Sequence, residues 1–154
     1  MMNKRKELTV SAIKNGTVID HLPAENLFKA LSILNIDMMN TTITIGNNLE
    51  SARLGKKGII KIADKHPSAD DMNKIAVVAP TARINIINDY NVVEKYNVTI
   101  PEQITGIFKC MNPKCITNNE SMITKFDVIE KSGKLQLKCR YCEKDTDQEH
   151  FETL

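Results

Sequence analysis

Four cysteines, all in the last third of the chain, constrain this sequence more than any other feature. Cys110 and Cys115 are separated by four residues, Cys139 and Cys142 by two, and 23 residues lie between the pairs. Two close pairs joined by a hairpin-sized insert is the spacing of a ribbon-type metal site. Each pair sits on a tight turn whose backbone amides point toward the sulfurs, and the two turns together complete a tetrahedron. Four thiolates fill every position around a zinc ion, so such a site is structural and leaves no place for an activated water. Two disulfides, four unrelated thiols or an iron centre use the same residues. The first residues lead into an alternating segment instead of an apolar signal core, and no apolar run approaches the roughly 20 residues that span a bilayer. A cytoplasmic protein is therefore expected, and reduced cytosolic thiols favour metal over disulfides. His150, eight residues beyond Cys142, is a further possible ligand and is read as a surface residue.

The cysteines occupy a segment too short to be secure on apolar burial alone. Val98 to Gln103 contains Pro101 and breaks both helical and strand periodicity, which places a boundary between a domain over residues 1–98 and another over 104–154. A domain of about 50 residues seldom builds an adequate core, and a metal staple is a common remedy. Ile104 to Phe108, Met122 to Ile129 and Leu135 to Lys138 read as its strands, with Ser132-Gly133 as a hairpin turn.

In the longer domain, Leu8, Val10 and Ala12 alternate with Thr9, Ser11 and Ile13, which predicts a strand ended by Lys14-Asn15-Gly16. Pro23 suits a first helical turn, and Leu27, Leu31 and Leu34, widened by Phe28, form a helical stripe ending near Asn35. Thr42 to Gly46 and Ile59 to Ile62 read as strands around a polar loop with Asn47, Asn48, Ser51 and Gly55. Ser68 caps a second helix, Asp70 and Asp71 suit its positive end, and Met72, Ile75, Ala76 and Ala79 mark its apolar face before Pro80. Ala82 to Ile87 and Tyr90 to Lys95 are strands about an Asn88-Asp89 turn. The order β-α-β-β-α-β plus one strand is that of an α+β, ferredoxin-like sandwich, with two helices on one face of an antiparallel sheet.

If Ile60, Ile62, Ile84 and Ile86 face the helices, Lys61 and Asn85 rise from the uncovered face. Asp20-His21 is placed between the first strand and first helix, where an anion is well received, and Lys95 ends the domain's last strand. Each of these also reads as an ordinary solvated or capping residue. No Gly-rich phosphate loop, Ser-His-Asp set or paired-carboxylate motif is present, so an enzyme is not indicated. A zinc-ribbon protein that binds nucleic acid is the alternative, but its footprint is clustered Lys and Arg with stacking aromatics. Here residues 104–154 carry eight basic and eight acidic side chains, residues 1–103 carry 13 and 11, and only 5% of the chain is aromatic.

Ala12 to His21, Ile43 to Leu49, Lys57 to Ile62 and Leu137-Lys138-Cys139-Arg140-Tyr141-Cys142-Glu143-Lys144 resemble the regulatory chain of aspartate carbamoyltransferase. The resemblance covers essentially the whole chain and includes the cysteine spacing. It implies a noncatalytic subunit, with an N-terminal nucleotide-binding domain and a C-terminal zinc domain that docks on the catalytic chain. It further implies regulatory dimers bridging catalytic trimers in a dodecamer, inhibition of pyrimidine synthesis by CTP, opposition by ATP, and UTP acting beside CTP in some members. By the same resemblance, Ala12 and Ile13 would contact the base through their backbone, and Val10, Asp20 and Lys61 would lie at the ribose and base edge. His21, Asn85, Val92 and Lys95 would face the phosphates, and Ile87 and Tyr90 would line the base pocket. Glu7 stands where the family often has lysine.

Overall fold

The computed structural model describes residues 12–154, and the chain divides after Thr99 into two compact units. The first is built from β1 (Gly16–Pro23), α1 (Leu27–Ile33), β2 (Ile43–Ser51), β3 (Gly55–Ala63), α2 (Ala69–Asn73), β4 (Arg83–Asn88) and β5 (Asn91–Asn97). Its sheet has the order β2-β3-β1-β4-β5, with every neighbouring pair antiparallel. This is the ferredoxin-like arrangement with one strand added beyond β4.

The order of the described elements matches expectation, and the first described strand begins at Gly16, where the expected strand was to end. Glu7, Leu8, Thr9, Val10 and Ser11 lie outside the described residues, and Ala12 and Ile13 are in no strand. Gly16 enters β1 at φ +140°, and a Cβ there would lie 2.0 Å from the Ile62 carbonyl oxygen, so the absent side chain permits close strand pairing. The β-branched run Thr17-Val18-Ile19 then continues the strand, and Asp20 and His21, expected in a connection, sit within it.

Other boundaries shift for similar reasons. The polar Asn47 to Ser51 stretch is strand, accommodated by a bulge between Gly46 and Leu49. The β4–β5 turn is Asp89-Tyr90, both at positive φ, one residue later than the spacing indicates. Ser68 caps α2 by accepting the Asp71 amide at 3.2 Å, and a 3-10 turn over Lys74–Val77 carries its apolar face onward. Asn35, left-handed at φ +52°, ends the turn following α1.

Ile19 pairs with Ile60 on one side and Ile84 on the other, and all three are fully buried with Ile62. Leu27, Ala30, Met72, Ile75 and Ala76 from the helical segments are buried as well, as is Ala79 just beyond them. Gly58, on the face shared with Ile60, would meet Leu27 Cδ1 at 2.9 Å if it had a Cβ, so α1 lies directly on the sheet. The opposite face is left uncovered by α1 and α2.

The second unit contains β6 (Gln103–Thr105), α3 (Ile116–Asn119), β7 (Lys125–Lys131), β8 (Lys134–Cys139) and β9 (Asp145–Asp147), with sheet order β6-β7-β8-β9. Ser132 and Gly133, at φ +53° and +77°, make the expected hairpin turn. Its apolar core is small. Ile104, Phe108, Phe126, Leu137 and Phe151 are buried, and the Phe108 and Phe151 rings lie 5.5 Å apart. Phe108 pairs with Thr153 in an isolated bridge and does not extend β6. Among the described residues no helix is long and apolar enough to cross a membrane.

Candidate functional site

Strand register builds a row of side chains across the uncovered face of the first unit. Thr44 lies opposite Lys61, Lys61 opposite Val18, Val18 opposite Asn85, and Asn85 opposite Lys95. Two residues along, Asp20 is opposite Arg83 and Arg83 opposite Asn97. Because side chains alternate along strands, both rows point to the same side. In the other direction Ile87 lies between Gly16 and Val92. The face thus grades from apolar at Ile87 and Val92 to charged at Asp20 and Arg83.

The charged end is concave. A cavity of about 320 Å³ is lined by Asp20, His21, Arg83, Asn85, Lys95, Tyr96 and Asn97. Four residues singled out from the sequence therefore meet there: Asp20, His21, Asn85 and Lys95. Lys61 lies on the same face two strands from Asn85, only 9% exposed. Ile87, Val92 and Tyr90 sit at the far end of the β4–β5 hairpin. Ala12 and Ile13 precede Lys14 and Asn15, whose oxygens accept the Tyr90 and Asp89 amides at 2.9 and 3.0 Å. Val10 lies outside the described residues.

Arg83, Tyr96 and Asn97 were not anticipated. The period-two rule that selected Lys61 and Asn85 also selects Arg83, two residues before Asn85, and carried on from Lys95 it selects Asn97, so the signal for these two was present.

A bulge shapes the cavity wall. Between Ile19 and Leu22 the β1–β3 register gains one residue, and His21 adopts φ +59°, uncommon for a side chain that is not glycine. Its amide donates to Asp20 Oδ1 at 2.6 Å and its carbonyl accepts the Thr81 hydroxyl at 2.8 Å. His21 Nδ1 is buried without a hydrogen-bond partner. Burial lowers the His21 pKa, the nearby Asp20 carboxylate opposes this, and Lys57, Arg83 and Arg53 reinforce it. Burial likewise lowers the Lys61 pKa against the pull of Asp20. Asp20 is engaged by Lys57 at 2.9 Å, whereas Lys95 and Arg83 form no ion pair among the described residues. The concave end is thus an electropositive pocket able to receive an anion.

In the second unit the four cysteine sulfurs lie within 4.8 Å of one another. Cys110 and Cys142 sulfurs are 3.7 Å apart, as are those of Cys115 and Cys139. A tetrahedron with metal–sulfur bonds of about 2.3 Å has edges of about 3.8 Å, so the arrangement fits a tetrahedral metal ion. Cys110, Cys115 and Cys139 are buried and no cysteine is in a disulfide, which removes the disulfide alternative. His150 instead contacts Asp147.

The knuckles are braced by two residues that spacing did not single out. Asn118 Nδ2 donates to the carbonyls of Cys110 and Asn112 at 2.8 and 2.7 Å, and Asn119 Nδ2 to those of Pro113 and Cys115 at 3.1 and 2.9 Å. Thr117 donates its hydroxyl to the Cys115 sulfur at 3.2 Å. Only contacts across the first turn reveal these roles. Without metal, burial pushes the Cys110 and Cys139 thiols up. At Cys142 burial also pushes upward, but the Lys144 amide, the Asn112 side chain and the neighbouring thiols prevail and bring it down to about 7.

Both halves match models of one family. Residues 8–99 match the allosteric domain of the aspartate carbamoyltransferase regulatory chain, and residues 102–152 match its metal binding domain. The chain belongs to the aspartate carbamoyltransferase regulatory chain family. It is similar to the regulatory chain of Parabacteroides distasonis, 54% identical over 146 residues and covering 95% of this chain and 94% of that one. That of Bacteroides fragilis is 54% identical over 149 residues, 97% of each chain. That of the archaeon Thermococcus sibiricus is 52% identical over 143 residues, 93% of this chain and 94% of its own. Membership makes this a regulatory, noncatalytic chain, in agreement with the lack of a catalytic constellation in its sequence.

Proposed function

We propose that this chain binds CTP and ATP on the uncovered face of its first unit. It thereby controls the catalytic chains of a cytoplasmic aspartate carbamoyltransferase at the first committed step of pyrimidine biosynthesis. The observation that carries this is the pocket itself, where Lys95, Arg83, His21 and Asn85 converge beside an apolar strip of Ile87 and Val92. Triphosphate suits the cationic end, and Lys61 and Asp20 lie where a ribose and base edge are read. UTP fits the same chemistry.

Regulation requires more than affinity. A nucleotide shifts the enzyme only by its difference in affinity for the low- and high-activity assemblies, typically about 1–3 kcal/mol. CTP and ATP share ribose and triphosphate, so opposite effects must originate in the base. In the second unit, Cys110, Cys115, Cys139 and Cys142 would hold one zinc ion that supplies only crosslinking. The knuckles so fixed form the docking surface for the catalytic chain, with regulatory homodimers bridging catalytic trimers in a dodecamer.

Lys95 tests the nucleotide site directly. Removing one charge-assisted contact, worth about 1.5–3 kcal/mol, in Lys95→Ala is expected to weaken CTP binding by roughly 10- to 150-fold in calorimetry. Unchanged affinity would remove Lys95 from the site.

A further inference from the structure

We propose that Thr117 is a positioning residue of the metal centre, whose hydroxyl supplies the hydrogen bond that the Cys115 sulfur lacks from the backbone and so sets how tightly the ion is held; this rests on the zinc reading above. Four thiolates outweigh a divalent ion by two charges, and the Cys110, Cys115 and Cys139 sulfurs belong to buried residues. Excess charge away from water is costly unless hydrogen-bond donors meet it. Backbone amides two residues further along meet it at three of the sulfurs. The Asn112 amide serves Cys110, the Tyr141 amide serves Cys139 and the Lys144 amide serves Cys142.

Cys115 departs from this pattern for a local reason. It stands immediately before α3 as the helix cap, and its side chain accepts no amide of the first turn. A donor again arrives from two residues along, but here it is the Thr117 hydroxyl, 3.2 Å from the sulfur. The neighbouring residues fix its aim. Asn118 holds the Cys110 carbonyl at 2.8 Å and Asn119 holds the Cys115 carbonyl at 2.9 Å, so α3 is tied to both cysteines of the first knuckle. Among the four sulfurs, Cys115 is therefore the one that loses a donor through a single side-chain substitution. A threonine that served only packing would act through its methyl group, which valine keeps and serine lacks.

The full chain, stripped and reloaded, separates the two roles in wild type, Thr117→Val and Thr117→Ser. Zinc affinity is measured by competition with a chromophoric chelator, and the sulfur environment by the thiolate-to-metal charge-transfer band of the cobalt(II) form. Thr117→Val is expected to weaken zinc binding about tenfold. Its cobalt band is expected at longer wavelength, because a thiolate electron pair relieved of its hydrogen bond lies higher in energy. Thr117→Ser is expected to stay within about threefold of wild type, with the band in place. If Thr117→Val does not reload with cobalt, Thr117→Ala provides the same two readings. Wild-type affinity or a wild-type band in the variant without the hydroxyl would overturn the proposal, as would a loss in Thr117→Ser equal to that in Thr117→Val. Wild type that takes up no zinc would instead overturn the zinc reading itself.

Discussion

The two units solve the problem of being small in different ways. The first, ending at Thr99, buries a continuous layer in which Ile19, Ile60, Ile62 and Ile84 from the sheet meet Leu27, Met72 and Ile75 from the helical segments. Its opposite face is thereby released from structural duty and can carry Lys61, Asn85, Lys95 and Arg83. The second unit buries only five large apolar side chains besides its cysteines, and its loops are braced by asparagine amides directed at the knuckle carbonyls. Its polar groups are therefore spent on holding shape. A ligand on the first unit would come and go without risk to the fold, whereas an ion held by the four cysteines would be part of the fold.

The sharpest way to break this contrast is to remove the metal. A structural zinc contributes apparent folding energies of about 10–16 kcal/mol, well above the roughly 3–5 kcal/mol an apolar core of this size supplies. Treatment with a mercurial and chelator, or Cys139→Ser, is expected to unfold residues 100–154 and leave the first unit folded, read as loss of amide dispersion from the second unit alone. Persistence of both sets would mean the apolar core suffices. The converse arm is Ile84→Ala, expected to destabilise the first unit by about 2–5 kcal/mol while the second unit and its metal content remain unchanged.

How much of this was legible in the sequence follows the same division. The metal site could be read from spacing because four cysteines are rare and their geometry is local to two turns. Asn118 and Asn119 could not, since their targets lie four to eight residues back in a fold not yet known. The order of elements in the first unit was readable from periodicity, yet Asn15-Gly16 mimicked a turn where Gly16 in fact serves close strand pairing. The strand over Gly16–Pro23 was therefore read as a connection, which hid the bulge at His21. Lys61 and Asn85 were placed on the right face by alternation alone. Arg83 and Asn97 were obscured only because the period was not extended one step further.

The smallest expected effect is a proton linkage at the pocket. His21 titrates below its ordinary 6.5 in the free chain, because burial and the charges of Lys57, Arg83 and Arg53 outweigh Asp20. The unfolded chain then binds more protons in that interval, so the first unit keeps its full stability above about pH 6.5 and loses a little as pH falls below it. A bound triphosphate would raise the His21 pKa. Binding should therefore take up a proton, and affinity should rise as pH falls toward 6, by less than about tenfold. Calorimetry in buffers of different ionisation enthalpy measures the uptake, and His21→Gln is expected to abolish it. No uptake in wild type would place the phosphates away from His21.

The central claim is that the first unit's pocket governs catalysis performed by another chain. It is tested most directly by combining zinc-loaded chain with catalytic trimers and following carbamoyltransferase activity with and without CTP and ATP, using wild type and Lys95→Ala. The account predicts no activity from this chain alone, nucleotide-dependent activity in the wild-type assembly, and an assembly of Lys95→Ala that forms normally but needs far more nucleotide to respond. An intact wild-type assembly indifferent to both nucleotides would contradict it.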